Sequence, residues 1–218
     1  MSIFNSDSKF MSVLTNIIDV VLLSLLWLLI SITIVGFGPA TTALYYTIAK
    51  TVRRGRGTLL KEFWRSLKEN WWKSMAFGLL TVVIGFYLAL TDGITVTGSL
   101  AEGGVSFLGE VILPMLRLMI FFSINTYIFP VLSRFDLKFV RILGMSISLF
   151  VRHLWLTLVM MSVGFVIIFF VSRDWFWIIF FPGVYYYLVS YPMEYILKKY
   201  TPKPENPDDK TIDYWYLE

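Results

Sequence analysis

The stretch KTVRRGRGTLLKEFWRSLKENWWK, from Lys50 to Lys73, decides how the chain is organised. It carries eight of the 19 lysines and arginines and lies between two long apolar runs. A basic loop in that position is typical of the cytoplasmic side of a membrane protein. Its second half also has a helical period, because Leu60, Trp64, Leu67 and Trp71 recur at steps of three and four residues. We therefore predict an amphipathic helix that lies on the membrane or docks on a partner.

The composition of the whole chain agrees with a membrane protein. Hydrophobic residues make up 57% of the 218 residues and charged residues only 16%, whereas about a quarter of the residues of a soluble protein are charged. The apolar residues come in runs long enough to cross a bilayer as helices. The net charge of +4 is explained by basic residues beside apolar runs, and no nucleic-acid-binding motif accompanies them. The predicted class is an all-α integral membrane protein with no nucleic acid partner.

About five transmembrane helices are predicted in a single membrane domain, residues 1–199. The predicted spans cover residues 13–37, 75–96, 105–132, 154–171 and 175–197. A short outer loop is predicted from Thr91 to Gly104. Two basic amphipathic linkers, Leu59 to Lys73 and Lys138 to Arg152, are predicted on the cytoplasmic side. Residues 200–218 form a polar tail.

The distribution of cations predicts the orientation. Sixteen of the 19 lysines and arginines fall in three stretches, Lys50 to Lys73, Arg134 to Arg152 and the end of the chain from Lys198 onward, which a five-span plan puts on one side. The positive-inside rule makes that side the cytoplasm. We expect a multi-pass protein of a bacterial cell membrane with its N-terminus outside and its C-terminus in the cytoplasm.

Arg117 is the most costly residue to place in the third predicted span, because a mid-membrane arginine costs at least about 2.5–3.5 kcal/mol. A carboxylate must compensate it, and Glu110, Asp92 and Asp19 are the candidates. Asn125, about two helical turns away, would extend a polar track. The set is either a ligand or partner contact inside the bundle, or Arg117 forms a structural ion pair or extends toward the outer interface.

The two linkers supply the candidate docking residues. These are Leu60, Trp64, Leu67 and Trp71 in the first linker, and Arg141 and Arg152 in the second. A partner could bind their apolar and basic faces, as helices bind in grooves. The alternative is an interfacial helix that rests on anionic lipid.

No catalytic, metal or cofactor site is predicted. The chain has no cysteine and one histidine, His153, so neither a thiolate site nor a histidine cluster can form. The segment RRGRGTLL lacks the spacing of a phosphate-binding loop, so the chain would not be the ATPase of an importer.

Three stretches carry a family resemblance. They are FNSDSKFM near the start, LLWLLISITIVGFGPATTALYYTIAK in and after the first span, and LLKEFWRSLKENWWKS in the first linker. Together they resemble the YesL-like family of bacterial membrane proteins, a domain of unknown function, most specifically over Phe4 to Lys9 and Gly36 to Lys73. The resemblance implies a gene beside carbohydrate ABC importers, chiefly in Gram-positive bacteria, and hence a role in saccharide uptake. It implies no catalytic residues.

Three functions follow as hypotheses. The first is a non-catalytic accessory subunit of a bacterial carbohydrate ABC importer, with the lipid bilayer and the importer subunits as partners. The second is a small secondary carrier or channel that uses Arg117, Glu110 and Asn125. The third is a membrane-bound sensor.

Overall fold

The computed structural model describes residues 3–102 and 112–201, and within them the chain is all-α. The helices are α1 (Ile3–Ser31), α2 (Phe37–Thr47), α3 (Leu59–Glu69), α4 (Trp71–Glu102), α5 (Leu113–Arg134), α6 (Phe139–Arg152), α7 (Leu154–Arg173) and α8 (Phe181–Tyr200). A π-helical turn, Ile48–Val52, continues α2. Short 3-10 turns, Ile34–Gly36 and Trp175–Ile179, precede α2 and α8. The predicted helical membrane class is confirmed.

The number of membrane-spanning helices differs from the prediction. In the described residues four helices are long and apolar enough to cross a bilayer, over Val13–Ser31, Trp71–Asp92, Leu113–Arg134 and Leu154–Arg173. The predicted fifth span, residues 175–197, is divided into a 3-10 turn and α8. Helix α8 is less apolar than the other four, because it carries six tyrosines and two prolines as well as Glu194, Lys198 and Lys199. An odd number of spans puts the two termini on opposite sides of the membrane, and an even number puts them on the same side. The orientation of the termini therefore stays a prediction.

The predicted outer loop from Thr91 to Gly104 is also corrected. α4 continues as a helix through Glu102, so Asp92 is a helical residue rather than a loop residue. A run of threonines and glycines does not stop the helix here, because the apolar residues between them keep the helical period.

The short helix α2 forms the core of the fold. Ten of its 11 residues, Gly38 to Thr47, are buried, and it packs against α1, α3, α4, α5 and α8. Its small residues and tyrosines explain the central position, because small side chains let several helices approach closely.

Two close approaches between backbones hold the helices at fixed positions. A Cβ atom on Gly38 of α2 would lie 1.9 Å from the carbonyl oxygen of Ser74 on α4, and one on Gly78 would lie 2.6 Å from the backbone nitrogen of Gly38. On the other side of the bundle, the backbone N–H of Gly183 donates to the hydroxyl of Ser24 at 2.9 Å, which joins α8 to α1. Glycine at these positions therefore serves helix packing.

Candidate functional site

Helix α3 is fixed on the core by charged and hydrogen-bonding residues around a buried carboxylate, here called the Glu62 cluster (Tyr46, Lys50, Glu62 and Arg65). The carboxylate of Glu62 accepts from the ammonium of Lys50 at 3.2 Å and from the Tyr46 hydroxyl at 3.3 Å. Arg65, which is 45% exposed, pairs with the same carboxylate at 3.3 Å. Lys50 lies in the π-helical turn, and its side chain is 3% exposed. A hydrogen-bonded set of this kind sets the position of α3 against α2.

The outer face of α3 is narrower than the sequence predicted. Leu60 is 57% exposed and Trp64 is 46% exposed, but Leu67 is 5% exposed and packs into the core. Trp71 is not on α3, because that helix ends at Glu69 and α4 begins at Trp71, whose ring also packs on the core. The exposed apolar surface of α3 is therefore Leu60 and Trp64, with exposed Lys61 beside them.

Helix α6 has an exposed apolar stripe, defined as Val140, Gly144, Ile147 and Val151. The steps of four, three and four residues place the four on one face, opposite buried Ile142, Ser146 and Leu149. A Cβ atom on Gly144 would meet nothing within 4 Å, so the centre of the stripe is open.

The predicted docking residues Arg141 and Arg152 are both exposed and lie on one flank of this stripe, because eleven residues make about three helical turns. Lys138, just before α6, is exposed as well. Helix α6 therefore combines an apolar contact surface with a basic edge. Its docking role stays a prediction.

The intramembrane arginine has the partner that the sequence suggested. Arg117 on α5 forms an ion pair with Asp92 on α4, and the Asp92 side chain is 7% exposed whereas that of Arg117 is 51% exposed. The half-exposed guanidinium is consistent with a side chain that reaches toward the membrane surface. The pair joins α4 to α5 at one end of the bundle.

The other predicted polar residues are not gathered around Arg117. The Thr81 hydroxyl donates to the carbonyl oxygen of Asn125, and the Asn125 amide donates to the Phe121 carbonyl at 2.8 Å. Asp19 is half-buried on α1. Glu110 lies outside the described residues. In the part of the chain that the structure describes, the polar track therefore consists of separate pairs.

A second buried cluster, the Glu194 cluster (Tyr45, Arg54, Arg134 and Glu194), was not predicted. The Glu194 carboxylate accepts from Tyr45 at 2.7 Å, from Arg54 at 3.0 Å and from Arg134 at 2.6 Å. The side chains of Glu194 and Arg134 are 4% and 2% exposed. The cluster joins α2, the segment after its π-helical turn, α5 and α8.

The sequence did contain a signal for this cluster. Glu194 is the one acidic residue in the predicted span 175–197, and an acid inside an apolar segment requires a partner. Arg134 follows an apolar span and Arg54 belongs to the basic loop, so the sequence indicates for both only a position on the cytoplasmic side.

A cavity of about 400 Å³ lies among the spans. Residues of α5 and α7 line most of it, including Phe122, Phe129, Met161 and Ile168, and Tyr185 of α8 joins them. Asn125 reaches its wall, but the lining is mainly apolar. In the described residues no group of three histidine, aspartate or glutamate side chains could hold a metal ion.

Comparison with known proteins gives a family match to part of the chain. Residues 20–91 match the model of the family described as "Protein of unknown function, DUF624". The chain is 30% identical over 129 residues to the uncharacterized protein YesL of Bacillus subtilis (strain 168), which covers 57% of this chain and 58% of that protein. The resemblance to the YesL-like family is confirmed.

A second YesL-like relative is the uncharacterized protein YteU of the same organism, with 28% identity over 149 residues, 64% of this chain and 62% of that protein. The matched segments span less than two thirds of both relatives. No solved structure matches the chain.

Proposed function

We propose that this protein is a non-catalytic accessory subunit of a bacterial carbohydrate ABC importer, which it contacts through α3 and α6. The resemblance to the YesL-like family supplies the importer as partner. The observation that carries the proposal is the rigid mounting of exposed apolar and basic residues at one end of the bundle. A surface that is held in place before binding loses little conformational freedom when a partner docks.

The surface of α6 suits a helix of defined chemistry. Its stripe has the spacing by which one helix packs on another, and open space at Gly144 permits a close approach. Arg141 and Arg152 on one flank favour a partner helix with acidic residues at the matching edge. A second copy of α6 is disfavoured, because an antiparallel pair would bring these cations together.

The carrier hypothesis has weaker support. A saccharide requires several free hydrogen-bonding groups, whereas four of the polar residues at the cavity are bonded to protein. Thr81 pairs with Asn125, and the hydroxyls of Thr126 and Tyr185 lie 3.1 Å apart. The accessory role needs no such pathway.

Co-purification from native membranes tests the proposal. The tagged protein should recover the transmembrane subunits of the saccharide importer, and the double variant Leu60→Ala/Trp64→Ala should recover less of them because their contact area is lost. The matched control is Leu158→Ala/Phe169→Ala, two residues of α7 that are similarly exposed and lie outside the cavity. Equal recovery in all three samples, or no importer subunit in any, would contradict the proposal.

The stripe on α6 allows a second test with little effect on the fold. Gly144→Leu adds a side chain where the chain itself has no neighbour, so we expect normal insertion but reduced recovery of the importer. Ala76→Leu, at an exposed position of α4, is the control. Charge reversal, Arg141→Glu with Arg152→Glu, should reduce recovery in the same way.

The cytoplasmic placement of this surface is open to labelling, because the chain has no native cysteine. A cysteine at Arg56, in the exposed turn before α3, should react with an impermeant maleimide only after the cells are permeabilised. Labelling of this cysteine in intact cells would place the docking helices outside the cell and contradict the proposed contact.

A further inference from the structure

We propose that the cavity among α5, α7 and α8 is a binding site for one acyl chain of a bilayer phospholipid. The inference goes beyond the importer contact and uses different residues, so either can fail alone. The cavity volume of about 400 Å³ falls in the range of small-molecule sites, about 300–1,000 Å³. Its walls are contributed largely by spans, so the hydrocarbon of the bilayer is the solvent next to it.

The chemistry of the lining favours hydrocarbon over a polar ligand. Phe122, Phe129, Met161 and Ile168 present aromatic and aliphatic surface. Several polar groups at the wall already have partners, since Thr126 bonds both the Phe122 carbonyl at 2.9 Å and the Tyr185 hydroxyl at 3.1 Å, and Thr81 bonds Asn125. A ligand that offers no hydrogen bonds leaves these pairs intact.

A partner helix fits the cavity less well than a single acyl chain. A helix with its side chains is about 10 Å wide and would have to extend over several turns to bind. A single flexible chain can follow the cavity instead, because it is much narrower than a helix.

Photolabelling in a defined membrane tests this site. The protein is reconstituted in vesicles of phosphatidylcholine and phosphatidylglycerol that carry a phospholipid with a diazirine in the middle of one acyl chain. Adducts are mapped by mass spectrometry after irradiation. Met161, which is only 7% exposed but lines the cavity, should be labelled. Val159, which is 46% exposed on the same helix, reports labelling by bulk lipid.

A larger side chain that fills the cavity should reduce labelling of Met161 and leave labelling of Val159 unchanged. Gly164 lines the cavity, and a Cβ atom there would lie 3.5 Å from Tyr185, an ordinary contact. Gly164→Leu should reduce Met161 adducts several-fold and leave Val159 adducts unchanged. Ile168→Trp fills the cavity from another position and keeps the test valid if the first variant does not fold.

Three results would overturn the acyl-chain site. The first is labelling of Val159 without Met161 in the wild-type protein. The second is Met161 labelling that both filling variants leave unchanged, and the third is fast reaction of Thr126→Cys with a water-soluble, membrane-impermeant maleimide, which requires water in the cavity. A diazirine fatty acid added as free acid serves as the second arm, and labelling of Met161 by this probe alone would exclude the phospholipid.

Discussion

Replacing Glu194 by alanine should destabilise the protein more than any surface substitution. The carboxylate is 4% exposed and accepts hydrogen bonds from Tyr45, Arg54 and Arg134. Its removal leaves the Arg134 guanidinium, which is 2% exposed, without this counter-charge in a buried position. The cost arises mainly from the loss of this counter-charge rather than from lost contact area.

The magnitude follows from the burial of both partners. Removing one member of a buried ion pair costs about 3–5 kcal/mol. For a chain of this length each kcal/mol lowers Tm by about 2–4 °C, so Glu194→Ala should lower Tm by about 6–20 °C. The double variant Glu194→Leu/Arg134→Met should be less destabilised than the sum of its single variants, because it removes the buried cation together with its partner.

The shift in Tm is measured by thermal unfolding in one detergent, followed by size-exclusion chromatography with fluorescence detection. The matched control is Glu69→Ala, because the Glu69 side chain is 61% exposed and its pair with Arg65 lies on the surface. A surface pair of this kind contributes about 0.3–0.5 kcal/mol. If Glu194→Ala and Glu69→Ala shift Tm equally, the Glu194 cluster does not hold α2, α5 and α8 together as described.

Two further predictions concern other charged groups. Arg117→Leu should reduce the free energy of unfolding by about 1–3 kcal/mol, because it removes the ion-pair partner of the buried Asp92 carboxylate. It should also impair function or assembly more than Arg173→Leu, which lies at an exposed helix end. Equal effects of the two substitutions on Tm and on complementation would remove Arg117 from the candidate site. Burial, together with the charges of Lys199 and Arg152, lowers the pKa of His153 below its ordinary value of 6.5. The unfolded chain therefore takes up this proton first, so stability should fall as pH drops through 6.5 toward the lower pKa of the folded protein. His153→Gln should remove this part of the pH dependence in Tm scans from pH 7.5 to 5.5, and an unchanged slope would assign it to another group.

Local patterns were enough to predict the helical class and the two linker helices. α3 and α6 follow the predicted amphipathic stretches closely, because the period of apolar residues is a property of each segment alone. An acidic partner for Arg117 was also predictable, since a membrane cation requires an acid, but the sequence left three candidates and the structure selects Asp92.

The central position of α2 could not be predicted in the same way. Burial of an 11-residue helix depends on which helices surround it. The local sequence around Gly38 and Tyr45 does not indicate which helices these are. The Glu194 cluster depends on residues separated by up to 149 positions along the chain. The span count was wrong for a related reason, because apolar content alone does not reveal that Glu194 makes α8 a part of the polar core.

The proposed contact with an importer is tested most directly by photocrosslinking in native membranes. A benzoylphenylalanine at position 64 on α3, or at position 147 on α6, should crosslink to a transmembrane or cytoplasmic subunit of the saccharide importer, whereas the same probe at position 158 on α7 should crosslink only to lipid. Crosslinks from position 64 alone would keep the importer contact but limit it to α3. Crosslinks to lipid alone from both positions 64 and 147 would contradict the account.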